Sequence, residues 1–126
     1  MRTWLTVAML IGLVACSGPT ATEAPATDAP PAEALAVSVA DFMIDPAEIE
    51  VAGPTVTISV MNDGPTPHNL TVRDAAGDVV MGTEDLSVGD SETITAELEP
   101  GEYTIFCALA GHESLGMSGT LTVTAP

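Results

Sequence analysis

Residues 35–126 consist of short runs in which apolar and polar side chains alternate, separated by Gly, Pro, Asn and Asp. In TVTISVMN (55–62), Val56, Ile58 and Val60 share one face, and Thr and Ser occupy the other. LAVSVA (35–40) and SETITAEL (91–98) repeat the pattern. A period of two residues is typical of strands with one buried face. With turn residues recurring about every 8–12 positions, seven or eight strands are expected, and the prediction is an all-β, two-sheet Greek-key sandwich.

Two local expectations accompany this fold. EPGE (99–102) has proline second and glycine third, which favours a type II turn. HNLTVRD, which follows the stiff segment NDGPTP, predicts a strand that begins at His68.

The first residues, MRTWLTVAMLIGLVAC, carry one charge at Arg2 and then an apolar run too short to span a bilayer comfortably. LVAC resembles the lipobox of bacterial lipoproteins, which predicts a signal peptide at 1–15 and a lipid on Cys16. Residues 16–34 are rich in Pro, Ala, Thr and acidic residues and predict a disordered tether. A plain signal peptide or an N-terminal anchor helix remains an alternative. The expected domain is 35–126, and the expected location is the extracytoplasmic (periplasmic) face of a membrane.

Charge excludes one class of partner. The chain has 18 acidic residues against 2 arginines and no lysine, giving a formal net charge of -16. Nucleic-acid phosphates would be repelled, so nucleic acid is not expected as a partner. The acidic surface suits either a basic protein partner or salty surroundings, and both interpretations stay open. We expect a monomer.

The stretch CALAGHESLGM (107–117) holds Cys107, His112 and Met117, and the other histidine of the chain is His68. A thiolate, two imidazoles and a weak thioether are the ligands of a blue-copper electron-transfer site. A buried thiol without a metal, a zinc site and a Cys–His nucleophile pair are the alternatives. The spacing within 107–117, together with His68, favours copper over each of them.

YTIFCALAGHESLGMSGTLTV resembles the C-terminal signature of the cupredoxins, the type 1 (blue) copper proteins, in the neighbourhood of plastocyanin, halocyanin and sulfocyanin. PTPHNLTV is similar to the family's first-histidine motif, FMIDPAEIEV to its first-strand segment and LEPGEYT to the turn before the cysteine strand. The resemblance implies one mononuclear copper ion with His68, Cys107 and His112 as equatorial ligands and Met117 as axial ligand. It also implies that Asn69 joins the two ligand loops by hydrogen bonds. Many relatives have Pro-Gly-His where this chain has Ala-Gly-His.

The expected function is therefore electron transfer by a lipid-tethered, non-enzymatic carrier that cycles between Cu(I) and Cu(II). Its partners would be a cytochrome or a membrane oxidase or reductase, with His112 as the electron port. Small and apolar residues around that port form the expected docking face: Leu109, Ala110, Leu115 and Gly116. A copper-binding or copper-delivery lipoprotein without redox shuttling is the alternative.

Overall fold

A computed structural model describes residues 33–126. The predicted signal peptide, the predicted lipidation site Cys16 and all but the last two residues of the predicted tether (16–34) lie outside the described residues. In residues 33–126, no helix has the length and apolar character needed to cross a membrane.

The described residues form nine β-strands in two sheets, and the all-β sandwich is confirmed. The strands are β1 (Leu35–Ala40), β2 (Met43–Asp45), β3 (Glu48–Ala52), β4 (Thr55–Asn62), β5 (Thr71–Arg73), β6 (Val79–Gly82), β7 (Ser91–Glu97), β8 (Gly101–Phe106) and β9 (Ser118–Thr124). Nine strands exceed the predicted seven or eight. Strands of three residues, such as β2, are too short to show alternation.

One sheet has the order β2-β1-β4-β7 and the other β3-β9-β8-β5-β6. Most neighbouring strands are antiparallel, but β1 pairs in parallel with β4, and β3 pairs in parallel with β9. The chain crosses between sheets at five connections: β2 to β3, β3 to β4, β4 to β5, β6 to β7 and β7 to β8. These crossings bring residues that are distant in sequence to the same end of the sandwich.

The core lies between the two sheets and is built mostly from aliphatic side chains. Val56, Ile58 and Val60 in β4 have no exposed surface, as the alternation predicts. Leu121 and Val123 in β9 face them from the other sheet within the same hydrophobic cluster. Burial of such side chains, at roughly 25 cal/mol per Å² of apolar surface, is the main stabilising term for a chain with few aromatics.

Two local predictions were wrong. Gly101 does not have the positive φ that the third position of a type II turn requires, because it already pairs with Val123 at the start of β8. Instead, the Tyr103 hydroxyl donates a hydrogen bond of 2.9 Å to the Glu99 carbonyl across this connection. His68 does not begin a strand: it forms an isolated bridge with Leu86, and β5 starts at Thr71.

One end of the sandwich carries His68, residues 107–117 and the turn after β1, and we call it the ligand pole. β1 runs from Leu35 towards this pole and ends in the turn at Asp41 and Phe42. Phe42 has a positive φ of 62°, which is rare for a bulky residue and marks a tightly constrained turn.

Candidate metal centre

The loop between β8 and β9 (residues 107–117) is folded back on itself by main-chain hydrogen bonds. The amide of Cys107 donates to the carbonyl of Met117 (3.1 Å), and the amide of Met117 donates to the carbonyl of His112 (3.1 Å). Glu113–Leu115 form a single turn of 3-10 helix that ends at Gly116, whose φ is 113°. Residues ten positions apart are thereby brought side by side, with His112 between them in the chain.

Three donor atoms converge at the ligand pole. Nδ1 of His112 lies 3.2 Å from Nδ1 of His68 and 3.6 Å from Sγ of Cys107. All three atoms lie within 4.8 Å of one another. With metal–ligand lengths of about 2.0 Å for nitrogen and 2.3 Å for sulfur, ligands of one ion at tetrahedral to trigonal angles lie about 3.3 to 3.7 Å apart. The two close contacts therefore fit a shared metal ion.

Burial divides the predicted ligands into an inner and an outer group. Cys107, His68 and Met117 have no exposed surface, whereas His112 is half-buried. The rings of the two histidines have centroids 5.1 Å apart. A metal held here would be screened from water on most sides, and His112 is the proposed ligand that reaches the surface.

His68 is oriented by contacts outside the donor set. Its Nε2 lies 2.9 Å from Oδ1 of Asp41, which also accepts a hydrogen bond of 2.6 Å from the Thr66 hydroxyl. The Thr66 hydrogen bond is the main cause that lowers the pKa of Asp41, and His68 lowers it further, while partial desolvation opposes both. Because Nε2 faces a carboxylate, the lone pair of Nδ1 is left to face the donor cluster.

Backbone packing also restrains the His68 ring. Gly64 is buried, and a Cβ at this position would lie 2.9 Å from Nε2 of His68 and 2.9 Å from Cα of Ala40. No side chain larger than hydrogen fits there without movement of its neighbours. The side chain of Asn62 supports the same segment by accepting a hydrogen bond of 2.9 Å from the Gly64 amide.

Asn69 joins the two ligand segments. Its Oδ1 accepts a hydrogen bond of 2.7 Å from the amide of Ala108, next to Cys107, and its Nδ2 donates one of 2.8 Å to Asp85. The residue after His68 is thus bonded to the residue after Cys107.

Arg73 makes contacts with the ligand loop that the sequence did not predict. Its guanidinium donates to both carboxylate oxygens of Glu113, at 3.1 and 2.5 Å, and lies 4.3 Å from the centre of the Phe106 ring. Glu113 follows His112, and Phe106 precedes Cys107, so one arginine touches both sides of the ligand loop. The pair is 40 residues apart in sequence, and no local pattern marks it.

The surface around His112 includes several small and apolar residues. Leu115 is 62% exposed, Ala110 and Gly116 are exposed, and Leu109 is half-buried against the core. Phe42, which the sequence did not point to, is 52% exposed and lies edge-on to His112, with ring centroids 6.3 Å apart.

Comparison with known proteins agrees with this geometry. Residues 6–123 match the cupredoxin-like domain family, a match that begins within the predicted signal peptide. No match was found among curated proteins.

Several solved structures share the fold. Dithionite-reduced auracyanin from Roseiflexus castenholzii is 23% identical, with 72% of this chain and 96% of that chain covered and a TM-score of 0.65. Auracyanin B is 20% identical, with coverage of 72% and 88% and a TM-score of 0.66. A purple cupredoxin from Nitrosopumilus maritimus is 22% identical, with coverage of 71% and 99% and a TM-score of 0.54.

The family match spans most of the chain, and the donor set of thiolate, two imidazoles and thioether is the one that suits both copper oxidation states. The chain therefore belongs to the cupredoxin family, with one copper ion in a type 1 site formed by His68, Cys107, His112 and Met117.

Proposed function

We propose that this protein is an electron carrier and not an enzyme. The observation that carries the proposal is the convergence of two Nδ1 atoms and one thiol sulfur at 3.2 and 3.6 Å, with only His112 of the donor residues reaching the surface. Copper supplies a one-electron couple at such a site. Both histidines of the chain belong to this centre, so none remains for a second histidine-bound copper.

The protein's part in electron transfer is to hold the donors still. His68, Cys107 and Met117 are fully buried, and their backbones are tied to one another or to neighbouring loops by hydrogen bonds. Donors that cannot move keep the same arrangement in both oxidation states. The energy needed for rearrangement is then small, and exchange is fast.

Docking would take place at the ligand pole, around the half-buried His112. Phe42, Ala110, Leu115 and Gly116 surround this histidine with exposed apolar or small groups. A small apolar contact suits the weak and brief complexes of electron transfer. The partner would be a cytochrome or a membrane oxidase or reductase, and a basic one would be attracted by the acidic surface.

We also propose export and lipid attachment, which the LVAC motif and the Pro- and Ala-rich segment after it support. Mass spectrometry of the membrane fraction should find Cys16 at a new N-terminus, with a diacylglyceryl group on its sulfur and with or without an acyl group on its amine. Cys16→Ala should release the protein from membranes. A wild-type protein that is soluble and unmodified would refute the attachment without touching the copper site.

The first experiment loads the full chain with Cu(II) and records absorption and EPR spectra. A strong thiolate-to-copper band in the red-orange region is expected, and Cys107→Ser should abolish it because a hydroxyl cannot replace the thiolate. Cys16→Ser is the matched control and should leave the band unchanged. A wild-type sample without the band would overturn the type 1 assignment in the functional protein.

The second experiment measures electron exchange with a soluble c-type cytochrome by stopped flow. Fast exchange is expected, and Leu115→Glu should slow it while the absorption spectrum stays the same. Slow exchange, with ready transfer of copper to an apo acceptor, would instead identify a copper-delivery lipoprotein.

A further inference from the structure

Within residues 33–126, one carboxylate is hydrogen-bonded to a ring nitrogen of a proposed ligand. Oδ1 of Asp41 lies 2.9 Å from Nε2 of His68, on the side of the ring opposite to the donor cluster. The side chain of His68 has no exposed surface, and that of Asp41 is 36% exposed. Asp41 is 27 residues from His68 in sequence and lies in the turn after β1.

The contact determines which nitrogen of His68 carries the proton. A neutral imidazole has one N–H and one lone pair, and the partner of one nitrogen sets the state of the other. Nε2 donates to the carboxylate, so Nδ1 presents its lone pair beside Cys107 and His112. Without Asp41, the buried Nε2–H would keep only the Thr66 hydroxyl, at 3.3 Å, as a partner.

The contact also has an electrostatic consequence. A carboxylate that accepts the N–H of a ligating histidine raises the basicity of the ligand nitrogen. Its negative charge stabilises the metal form with the higher positive charge, and burial of the ring limits screening by water.

We propose, as a refinement of the electron-carrier function, that Asp41 is a positioning residue that holds the Nε2–H of His68 and shifts the copper couple towards its oxidised form. Thr66 supports this role, because its hydroxyl donates a hydrogen bond of 2.6 Å to the same Asp41 oxygen and so keeps the carboxylate at the edge of the His68 ring. Gly64 leaves the space in which the ring and the carboxylate meet.

The charge is tested by an equilibrium redox titration of the copper-loaded full chain against a mediator. Asp41→Asn keeps an oxygen acceptor of similar shape but removes the charge, so the Cu(II)/Cu(I) equilibrium should shift about tenfold towards Cu(I), or about 59 mV for one electron. Asp78→Asn removes the same charge from an exposed turn away from the ligand pole and is the matched control. Equal potentials for the two variants would overturn the proposal.

The hydrogen bond is tested separately, by long-range proton–nitrogen NMR of the diamagnetic Cu(I) form. Wild type should show His68 protonated at Nε2, with a proton that exchanges slowly with water. Asp41→Asn should retain that slow proton, and Asp41→Ala should exchange it faster. A wild-type His68 that is protonated at Nδ1, or whose Nε2 proton exchanges rapidly with water, would contradict the role of Asp41, and this outcome needs no variant.

These readouts need no redox partner. If wild type exchanges electrons slowly but its potential shifts as expected in Asp41→Asn, the carrier function fails and the tuning role stands. If electron exchange is fast but the potential does not shift, the carrier function stands and the tuning role of Asp41 fails.

Discussion

His68 is the most constrained residue of the ligand pole, and the constraint comes from small neighbours as much as from its own bonds. Gly64 packs so closely that an added Cβ would meet Nε2 of His68 at 2.9 Å. That contact is shorter than atoms of this kind tolerate, and the same Cβ would lie 2.9 Å from Cα of Ala40, so the ring or the backbone around it would have to move.

Gly64→Ala should therefore alter the EPR and absorption spectra and lower the free energy of unfolding by about 1–3 kcal/mol, the usual cost of overpacking. Gly101→Ala is the control, because its added Cβ would meet no atom closer than 4.0 Å. Spectral measurement and thermal unfolding of both variants check the prediction. A normal spectrum for Gly64→Ala would show that the His68 ring is not held as described.

Asp41 gives a prediction for pH. Its folded-state pKa is lowered, first by the Thr66 hydrogen bond and then by His68. A carboxyl with a lowered pKa adds stability above its unfolded value and loses that contribution as the pH falls through the folded one. The stability difference between wild type and Asp41→Asn should shrink as the pH drops below the ordinary carboxyl range. Denaturant unfolding across a pH series measures it, and a difference that grows on acidification would contradict the assignment.

At the scale of elements, the ligand loop (107–117) is attached to β5 by one side chain. Arg73 forms an ion pair with Glu113, the residue that follows His112, and its guanidinium lies over the ring of Phe106, the residue that precedes Cys107. Both partners of the ion pair are about a third exposed, so water screens the pair and its contribution to global stability is small. Its effect should be seen more in the mobility of the loop than in global stability.

Arg73→Met should speed amide hydrogen exchange in residues 111–117 and leave that of β4 unchanged, with little loss of stability. Arg73→Lys keeps the charge but loses the two-pronged contact, and should fall between wild type and Arg73→Met. Exchange mass spectrometry of the three proteins provides the comparison. Uniform acceleration in both the loop and β4 would indicate general destabilisation instead.

The strands that the sequence predicted best are those long enough to alternate, such as β4 and β7. The metal ligands were predictable because cysteine and histidine are rare in this chain and three of the donors lie within one short stretch. Asp41, Thr66 and Arg73 were not, since the contacts of Asp41 with Thr66 and His68, and of Arg73 with Glu113, join residues 25 to 40 positions apart in sequence. The strand predicted to begin at His68 begins at Thr71 instead, because the main chain of His68 pairs with Leu86 only as an isolated bridge.

At the scale of the whole molecule, negatively charged side chains greatly outnumber positively charged ones. Arg73 is the only Lys or Arg within residues 33–126, and it is already paired with Glu113. The surface of the described part is therefore acidic, and the small and apolar residues around His112 lie at one end of it. Such a molecule would be oriented by long-range attraction to a basic protein before apolar contact forms.

Electron exchange with a basic cytochrome should slow as ionic strength rises, because salt screens charges beyond about 10 Å at 0.1 M. Exchange with a small neutral reductant is the control and should depend weakly on salt. Stopped-flow rates across a salt series provide the test. A rate with the basic cytochrome that is insensitive to salt would assign the acidic surface to tolerance of salty surroundings.

The direction of β1 determines where the copper site lies relative to the residues that precede the domain. β1 enters the sandwich at Leu35 and reaches the ligand pole after six residues, a rise of about 20 Å. Whatever precedes Leu35 thus joins the domain at the end far from the copper. If a lipid on Cys16 anchors the protein, the anchored chain enters the domain at the end opposite to His112, which is then open to carriers in the surrounding fluid. A partner embedded in the same membrane would be met only if the domain turned over.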